Sequence, residues 1–181
     1  MYLLAVHNAS EKDGAGAPVT ATMNGVMTLS GMDIAAVEAL LAGCGLRLCL
    51  LPAGAEIPGT YWGAPEAGLS GDQLFVRPDT PVHSALHEAA HFICMPVERR
   101  TELHRDAGGD AAEEDAVCYL QILLGAELTA TGWSRERLFA DMDAWGYSFR
   151  LGSTQRWFQE DADDARAWLE TRHLLRKGTR P

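Results

Sequence analysis

A chain of 181 residues with 47% hydrophobic and 22% charged residues has the composition of a globular protein with a sizeable core, which excludes an intrinsically disordered chain. No apolar run approaches the roughly 18 residues of a membrane-spanning helix, so we expect no membrane partner. Fifteen Lys and Arg against 25 Asp and Glu give a net charge of -10, the wrong sign for direct binding to nucleic acid.

The N-terminus and the cysteines indicate the compartment. Residues 1–6 lack the charged head, the long apolar stretch and the small-residue cleavage site of a signal peptide. We therefore expect a cytoplasmic protein. Its four cysteines form no CxxC pair and no dense framework, which favours free thiols over disulfides.

The first fifty residues are predicted to contain two strands and one helix. Ser30 and Asp33 have the spacing of a capping box, and the apolar residues that follow recur on one helical face. This pattern predicts a helix that ends near residue 43 or 45. The other elements predicted here are a strand at 2–6, a loop at 8–17 and a buried strand at 46–51.

A hairpin and a long helix are predicted next. Two β-type runs, at 60–62 and 73–77, are separated by Gly and Pro residues that favour turns, so they predict a hairpin or meander. Thr80 is suited to an N-cap and Pro81 to the first helical position. The helix that they begin is predicted to run to about residue 95, ahead of Pro96.

Helices dominate the second half of the sequence. Asp110 can cap a helix that continues through a nearly continuous apolar run to about residue 124, which predicts a buried helix. Two further amphipathic helices are predicted at about 134–145 and 161–175. Together with the strands of the first half, they predict one α+β domain in which a small sheet packs against several helices.

The predicted helix that starts at Pro81 contains an HExxH motif, formed by His87, Glu88 and His91. In a helix the two histidines lie about 40° apart in azimuth and about 6 Å apart along the axis, so both rings can reach one tetrahedral metal ion. Glu88 then lies beside the metal, where a carboxylate can accept a proton from the attacking water. The motif therefore predicts a zinc site with Glu88 as general base.

A third protein ligand is needed, and spacing alone does not choose it. His83 lies about 12 Å from His91 along the helix axis, too far for both to bind one zinc ion. Glu113 and Glu114 open the next predicted helix and are nearly tied, although Glu113 could simply complete a capping box with Asp110. Other downstream candidates are His104, Asp106, Asp110 and Asp115.

The order of these motifs resembles the ImmA/IrrE metallopeptidases. Their second motif has a glutamate, an alanine three residues later, an aromatic residue after three more, and a leucine pair. The matching residues are Glu113, Ala116, Tyr119, Leu123 and Leu124, and a start at Glu114 breaks this register. The resemblance implies that Glu113 is the third ligand, beside His87 and His91, of one zinc ion per chain.

The resemblance also implies a fold and a substrate class. The resemblance covers about residues 57–124 and implies a minimal zincin fold. We expect one such domain over residues 1–181, with strands and one helix in 1–79, the metal-site helices in 80–125 and C-terminal helices in 126–181. A member of this family would be a zinc metallopeptidase acting on a protein or peptide substrate, such as a transcriptional regulator. An oxyanion stabiliser could come from His104, Tyr61 or Tyr147.

Departures from the pattern leave an alternative open. Val117 stands where related glutamate-zincins have Asn or Asp, so a partner that orients a ligand histidine is missing there. Another residue or a backbone carbonyl would have to orient His87. The alternative is an inactive zincin-fold binding module, with or without a structural metal that Cys94 or His104 would complete as a fourth ligand.

Overall fold

The computed structural model describes residues 25–103, 107–130 and 132–175. Within these ranges the chain forms seven α-helices, one short 3-10 turn and a three-stranded sheet, which confirms the α+β class. The strand predicted at 2–6 and the loop predicted at 8–17 lie outside the described residues. None of the helices in these ranges combines the length and the apolar character needed to cross a bilayer.

The sheet has the strand order β1-β3-β2. Strand β3 (Gln73–Val76) pairs in parallel with β1 (Arg47–Leu50) and antiparallel with β2 (Gly68–Ser70). A hairpin is therefore present, but its first arm is β2 and not the predicted run at 60–62. The β2–β3 register places Leu69 opposite Leu74, and both side chains are fully buried, whereas Tyr61 and Trp62 are more than half exposed.

Two details of the first half differ from the sequence predictions. The strand predicted to be buried is β1, an edge strand whose last residue, Leu50, is 50% exposed. Helix α1 (Ile34–Ala42) is capped by Asp33, whose side chain accepts a hydrogen bond from the Ala35 amide. The helix thus begins later than a Ser30 capping box predicts, because residues Leu29–Gly31 form the 3-10 turn instead.

Helices α2 (Val82–Cys94) and α4 (Ala111–Gly125) form the centre of the fold. Helix α2 ends where predicted, because Met95 precedes Pro96 and adopts an extended ψ of 138°. Helix α4 begins as predicted, with the Asp110 carboxylate accepting a hydrogen bond from the Glu113 amide. The two helices pack against each other, and α2 also packs on strands β2 and β3.

The remaining helices pack around this pair. The predicted helix at 134–145 is α5 (Arg135–Trp145), capped by Ser134. The one predicted at 161–175 is shorter, α7 (Asp163–Thr171), and is preceded by α6 (Thr154–Glu160); a further short helix, α3 (Val97–Thr101), follows α2. Gly146 ends α5 with a φ of 102°, which reverses the chain and returns Tyr147 toward α2.

Candidate metal centre

The two histidines of the HExxH motif project from one face of α2. His87 Nε2 and His91 Nε2 lie 3.2 Å apart, and the side chains are 14% and 10% exposed, respectively. The four-residue spacing thus brings the imidazoles together as predicted. Glu88 lines the cavity onto which both histidines open.

The carboxylate that joins them comes from α4 and belongs to Glu114. Its Oε1 lies 3.2 Å from His87 Nε2, and its Oε2 lies 3.5 Å from His91 Nε2. A tetrahedral zinc ion with bonds of about 2.0–2.1 Å would hold its ligand atoms about 3.3 Å apart, as simple geometry requires. The separations of 3.2–3.5 Å among the ring nitrogens and the two carboxylate oxygens are of this order, so the three residues could hold a metal ion.

Glu113, the ligand implied by the resemblance, lies elsewhere. Its buried carboxylate is ion-paired with Arg99 of α3, through Nη2 to Oε1 and through a 3.3 Å contact from Nη1 to Oε2. Its amide is bonded to Asp110, as expected for a capping role. The structure thus brings Glu114, and not Glu113, to the two histidines.

Gln121 orients His87, and the sequence analysis did not identify it. This fully buried side chain donates from Nε2 to the His83 carbonyl at 2.8 Å, which leaves Oε1 facing His87 Nδ1 at 3.1 Å. His87 Nδ1–H then donates to Gln121, and Nε2 points to the cluster. The available signal was a polar residue within the apolar run of α4, seven residues and about two turns after Glu114.

Val117 takes no part in this network. Its side chain is fully buried and packs in the hydrophobic core. The role expected of a partner for His87 is filled one turn further along α4 by Gln121. Tyr147 lies beside the same arrangement, since its ring is 5.7 Å from that of His87.

A cavity of about 330 Å³ opens beside the cluster. Its walls include the three residues of the cluster together with Glu88 from α2 and Tyr147 from beyond α5. Tyr61 also lines it, at the mouth and 53% exposed, while His104 lies outside the described residues. The centre is therefore accessible from a space large enough for a substrate side chain.

Comparisons with known protein families, with curated proteins and with solved structures find no match to this chain. The likeness to the ImmA/IrrE metallopeptidases accordingly rests on the motif residues alone.

Charge holds the cluster together when no metal is bound. Burial acts to raise the pKa of Glu114, but the hydrogen bond and charge of His87 and the charge of His91 outweigh it and lower the pKa to about 2. Burial likewise acts to lower the pKa of His87, yet Tyr147, Cys118 and Glu114 act in the opposite direction, and the pKa is raised well above its usual value. A proton on His87 thus pairs with the Glu114 carboxylate.

His83 is buried against aromatic rings. Its ring lies 4.8 Å from that of Trp145 and 5.8 Å from that of Tyr147, and only 1% of the residue is exposed. Burial, with a smaller effect of the His87 charge, lowers its pKa to about 3. His83 is therefore neutral, and neither ring nitrogen has a hydrogen-bond partner among the described residues.

The cysteines are free thiols, as expected. Cys94 and Cys118 are buried, and burial raises the pKa of both, that of Cys94 to about 12. Among the described residues the potential metal ligands that converge are His87, His91 and Glu114, and neither thiol belongs to this group. Such a three-residue set leaves a coordination position for water, as in catalytic zinc sites.

Proposed function

We propose that this chain is a zinc-dependent metallopeptidase of the zincin type, which hydrolyses a peptide bond in a protein substrate. The observation that carries the proposal is the convergence of His87, His91 and Glu114, at separations suited to one tetrahedral ion, on a cavity that Glu88 also lines. Two imidazoles and one carboxylate are the donor set of many catalytic zinc sites.

The proposed chemistry divides between the metal and the chain. A bound zinc ion would supply a Lewis acid that polarises the scissile carbonyl and acidifies water. Glu88 accepts the proton of the attacking water and passes it to the leaving amine, a role that its place next to His87 on the cavity wall supports. Gln121 fixes the tautomer and orientation of His87, and Glu114 contributes negative charge that offsets that of the cation.

The proposed substrate class follows from the resemblance to the ImmA/IrrE metallopeptidases. We expect a protein or peptide substrate, with a transcriptional regulator as the first candidate, and a cytoplasmic site of action. The net charge of -10 supports a protein partner over direct contact with nucleic acid. The cavity is open enough to admit an extended peptide side chain beside the proposed metal.

The test is hydrolysis of a mixture of quenched fluorescent peptides by the zinc-loaded chain and by a Glu88→Gln variant. We expect one zinc ion per chain in both proteins, and a loss of about 100-fold or more in cleavage rate in the variant, since general-base catalysis contributes about 10²–10⁴. Glu98→Gln, an exposed change on α3, is the matched control and should cleave like the parent chain.

Two results would contradict the proposal. The first is a parent chain that takes up no zinc on titration, and the second is a Glu88→Gln variant that cleaves as fast as the parent. A chain that binds one zinc ion but cleaves no peptide would instead favour the non-hydrolytic binding module.

A further inference from the structure

The cavity extends beyond what a metal ion and its water would fill. Its volume is about 330 Å³, whereas one water molecule occupies about 30 Å³ of liquid. Its walls also include residues outside the cluster, here named together the Glu66 pocket: Tyr61, Trp62, Glu66, His83 and Trp145. Its chemistry differs from that of the metal centre, because it combines one carboxylate with several aromatic rings.

Glu66 is held in place by two neighbouring contacts. The adjacent Ala67 amide donates to Ser84 Oγ of α2 at 3.0 Å, and Trp145 Nε1 donates to Glu66 Oε1 at 2.9 Å. Burial raises the pKa of Glu66, while the Trp145 hydrogen bond and the His87 charge oppose this rise. No Arg or Lys in the described part of the chain forms an ion pair with Glu66. A partly buried carboxylate in this state is suited to an incoming cation.

Aromatic rings line the same cavity as this carboxylate. Tyr61 and Trp62 meet edge to face at a centroid distance of 4.9 Å, and they remain 53% and 57% exposed at the cavity mouth. The Trp145 ring packs on His83. Faces of Trp and Tyr attract cations, and guanidinium groups stack on them especially well. Exposed aromatic rings beside a fixed carboxylate thus favour a planar cationic ligand.

His83 also lines the cavity, although both of its ring nitrogens are buried. It is 1% exposed, and neither of its ring nitrogens has a partner among the described residues, which is uncommon for a buried polar group. The acceptors available to a ligand are therefore the Glu66 carboxylate oxygens, and a guanidinium carries five N–H donors in a flat fork that matches a carboxylate. An ammonium group matches these acceptors and ring faces less well, because it is a compact point charge.

We infer that the Glu66 pocket binds the guanidinium of an arginine side chain in the substrate, with Glu66 as its ion-pair partner and Tyr61, Trp62 and Trp145 as its stacking surface. This inference rests on the proposed function and specifies its substrate class, namely peptides that contain arginine. The net charge of -10 favours an approach by a basic peptide segment.

The test measures binding without cleavage. N-acetyl-arginine amide and its neutral near-isostere N-acetyl-citrulline amide are titrated into the zinc-loaded Glu88→Gln chain, and the indole N–H signals of the five tryptophans are followed by NMR. We expect the arginine probe to bind at least about tenfold more tightly than the citrulline probe, as charge-assisted hydrogen bonds allow. The signals of Trp62 and Trp145 should shift, while that of Trp133, whose Nε1 is bonded to the Gly125 carbonyl, should not.

Glu66→Gln on the same background should remove the preference for arginine. The variant amide can still accept the Trp145 hydrogen bond, so the local structure is retained. Glu38→Gln, an exposed change on α1 with the same loss of charge, is the matched control and should keep the preference. Trp62→Ala removes an exposed ring and should weaken arginine binding without affecting the core.

Three outcomes would overturn the inference: equal affinity for the two probes, a preference that survives Glu66→Gln, or no binding of either probe at about 10 mM, a concentration well above that needed for millimolar affinity. Its failure is separable from that of the proposed function. Arginine binding without peptide cleavage would support the pocket and count against the peptidase, whereas zinc-dependent cleavage with no response to Glu66→Gln would refute the pocket alone.

Discussion

Replacement of Gln121 by methionine tests whether this side chain prepares His87 for the metal. Methionine is close to glutamine in length and volume, so the change removes the hydrogen bonds to His87 Nδ1 and to the His83 carbonyl while the core stays filled. Loss of a partner that orients a ligand histidine lowers metal affinity by about 10–100-fold, which corresponds to about 1.4–2.7 kcal/mol.

The same substitution should also lower the stability of the metal-free protein. Gln121 is fully buried and makes two hydrogen bonds between α4 and α2, each with a net contribution of about 0.5–1.5 kcal/mol. We therefore expect the free energy of unfolding to fall by about 1–3 kcal/mol. Gln155→Met, an exposed change on α6, is the matched control for both quantities.

The assay is competition for zinc with a chromophoric chelator, with urea unfolding of the metal-free proteins in parallel. A Gln121→Met variant that folds normally and binds zinc within about twofold of the parent would refute the reasoning, because twofold is far below the expected loss. In that case the contact with His87 would be a by-product of packing between the two helices.

Three further outcomes are expected. Glu114→Ala should abolish stoichiometric zinc in elemental analysis while Glu113→Ala retains it, and the reverse result would restore Glu113 as the ligand. Zinc binding should release about one proton, because the raised pKa of His87 keeps this side chain protonated near neutral pH. The apparent zinc affinity should then fall about tenfold per pH unit below that pKa. Calorimetry in buffers of different ionisation enthalpy measures the proton release, and a binding enthalpy that does not depend on the buffer would contradict it. Gly68→Ala should lower the free energy of unfolding, measured in urea, by about 2 kcal/mol or more, since its Cβ would collide with backbone atoms of Pro58 and Thr60. Gly71→Ala, where a Cβ meets open space, is the control and should lower the free energy of unfolding by only about 1 kcal/mol. Equal losses in the two variants would contradict the collision.

The elements that the sequence predicted well are those whose ends are set by local chemistry. Asp110 and Ser134 cap α4 and α5 with their own side chains, and Pro96 stops α2 through the residue before it. The HExxH histidines belong to the same class, because a four-residue spacing within one helix requires no knowledge of the tertiary fold. Local rules thus predicted two of the three residues of the candidate centre.

The errors lie where tertiary packing decides. The run at 60–62 has strand-forming residues, yet β3 pairs with β2, whose Leu69 faces Leu74 in the core. The helix predicted from 161 begins at Asp163, and the separate helix α6 has its own cap, Ser153, which the sequence analysis passed over. Apolar content and strand propensity do not determine which segment packs in the core, because that choice depends on tertiary contacts.

The choice between Glu113 and Glu114 required the rotational phase of α4 about its own axis. Neighbouring residues on a helix differ by 100° in azimuth, so only one of the two can face α2. Arg99 of α3, the short helix that follows Pro96, forms an ion pair with the Glu113 carboxylate. This contact is consistent with a rotation of α4 that places Glu114 on the side of the histidines. Gln121 obeys the same phase, seven residues and nearly two whole turns after Glu114, and so meets His87 from the same face. Glu114 and Gln121 therefore follow from one geometric relation, because the rotation of α4 that brings either side chain to His87 also brings the other.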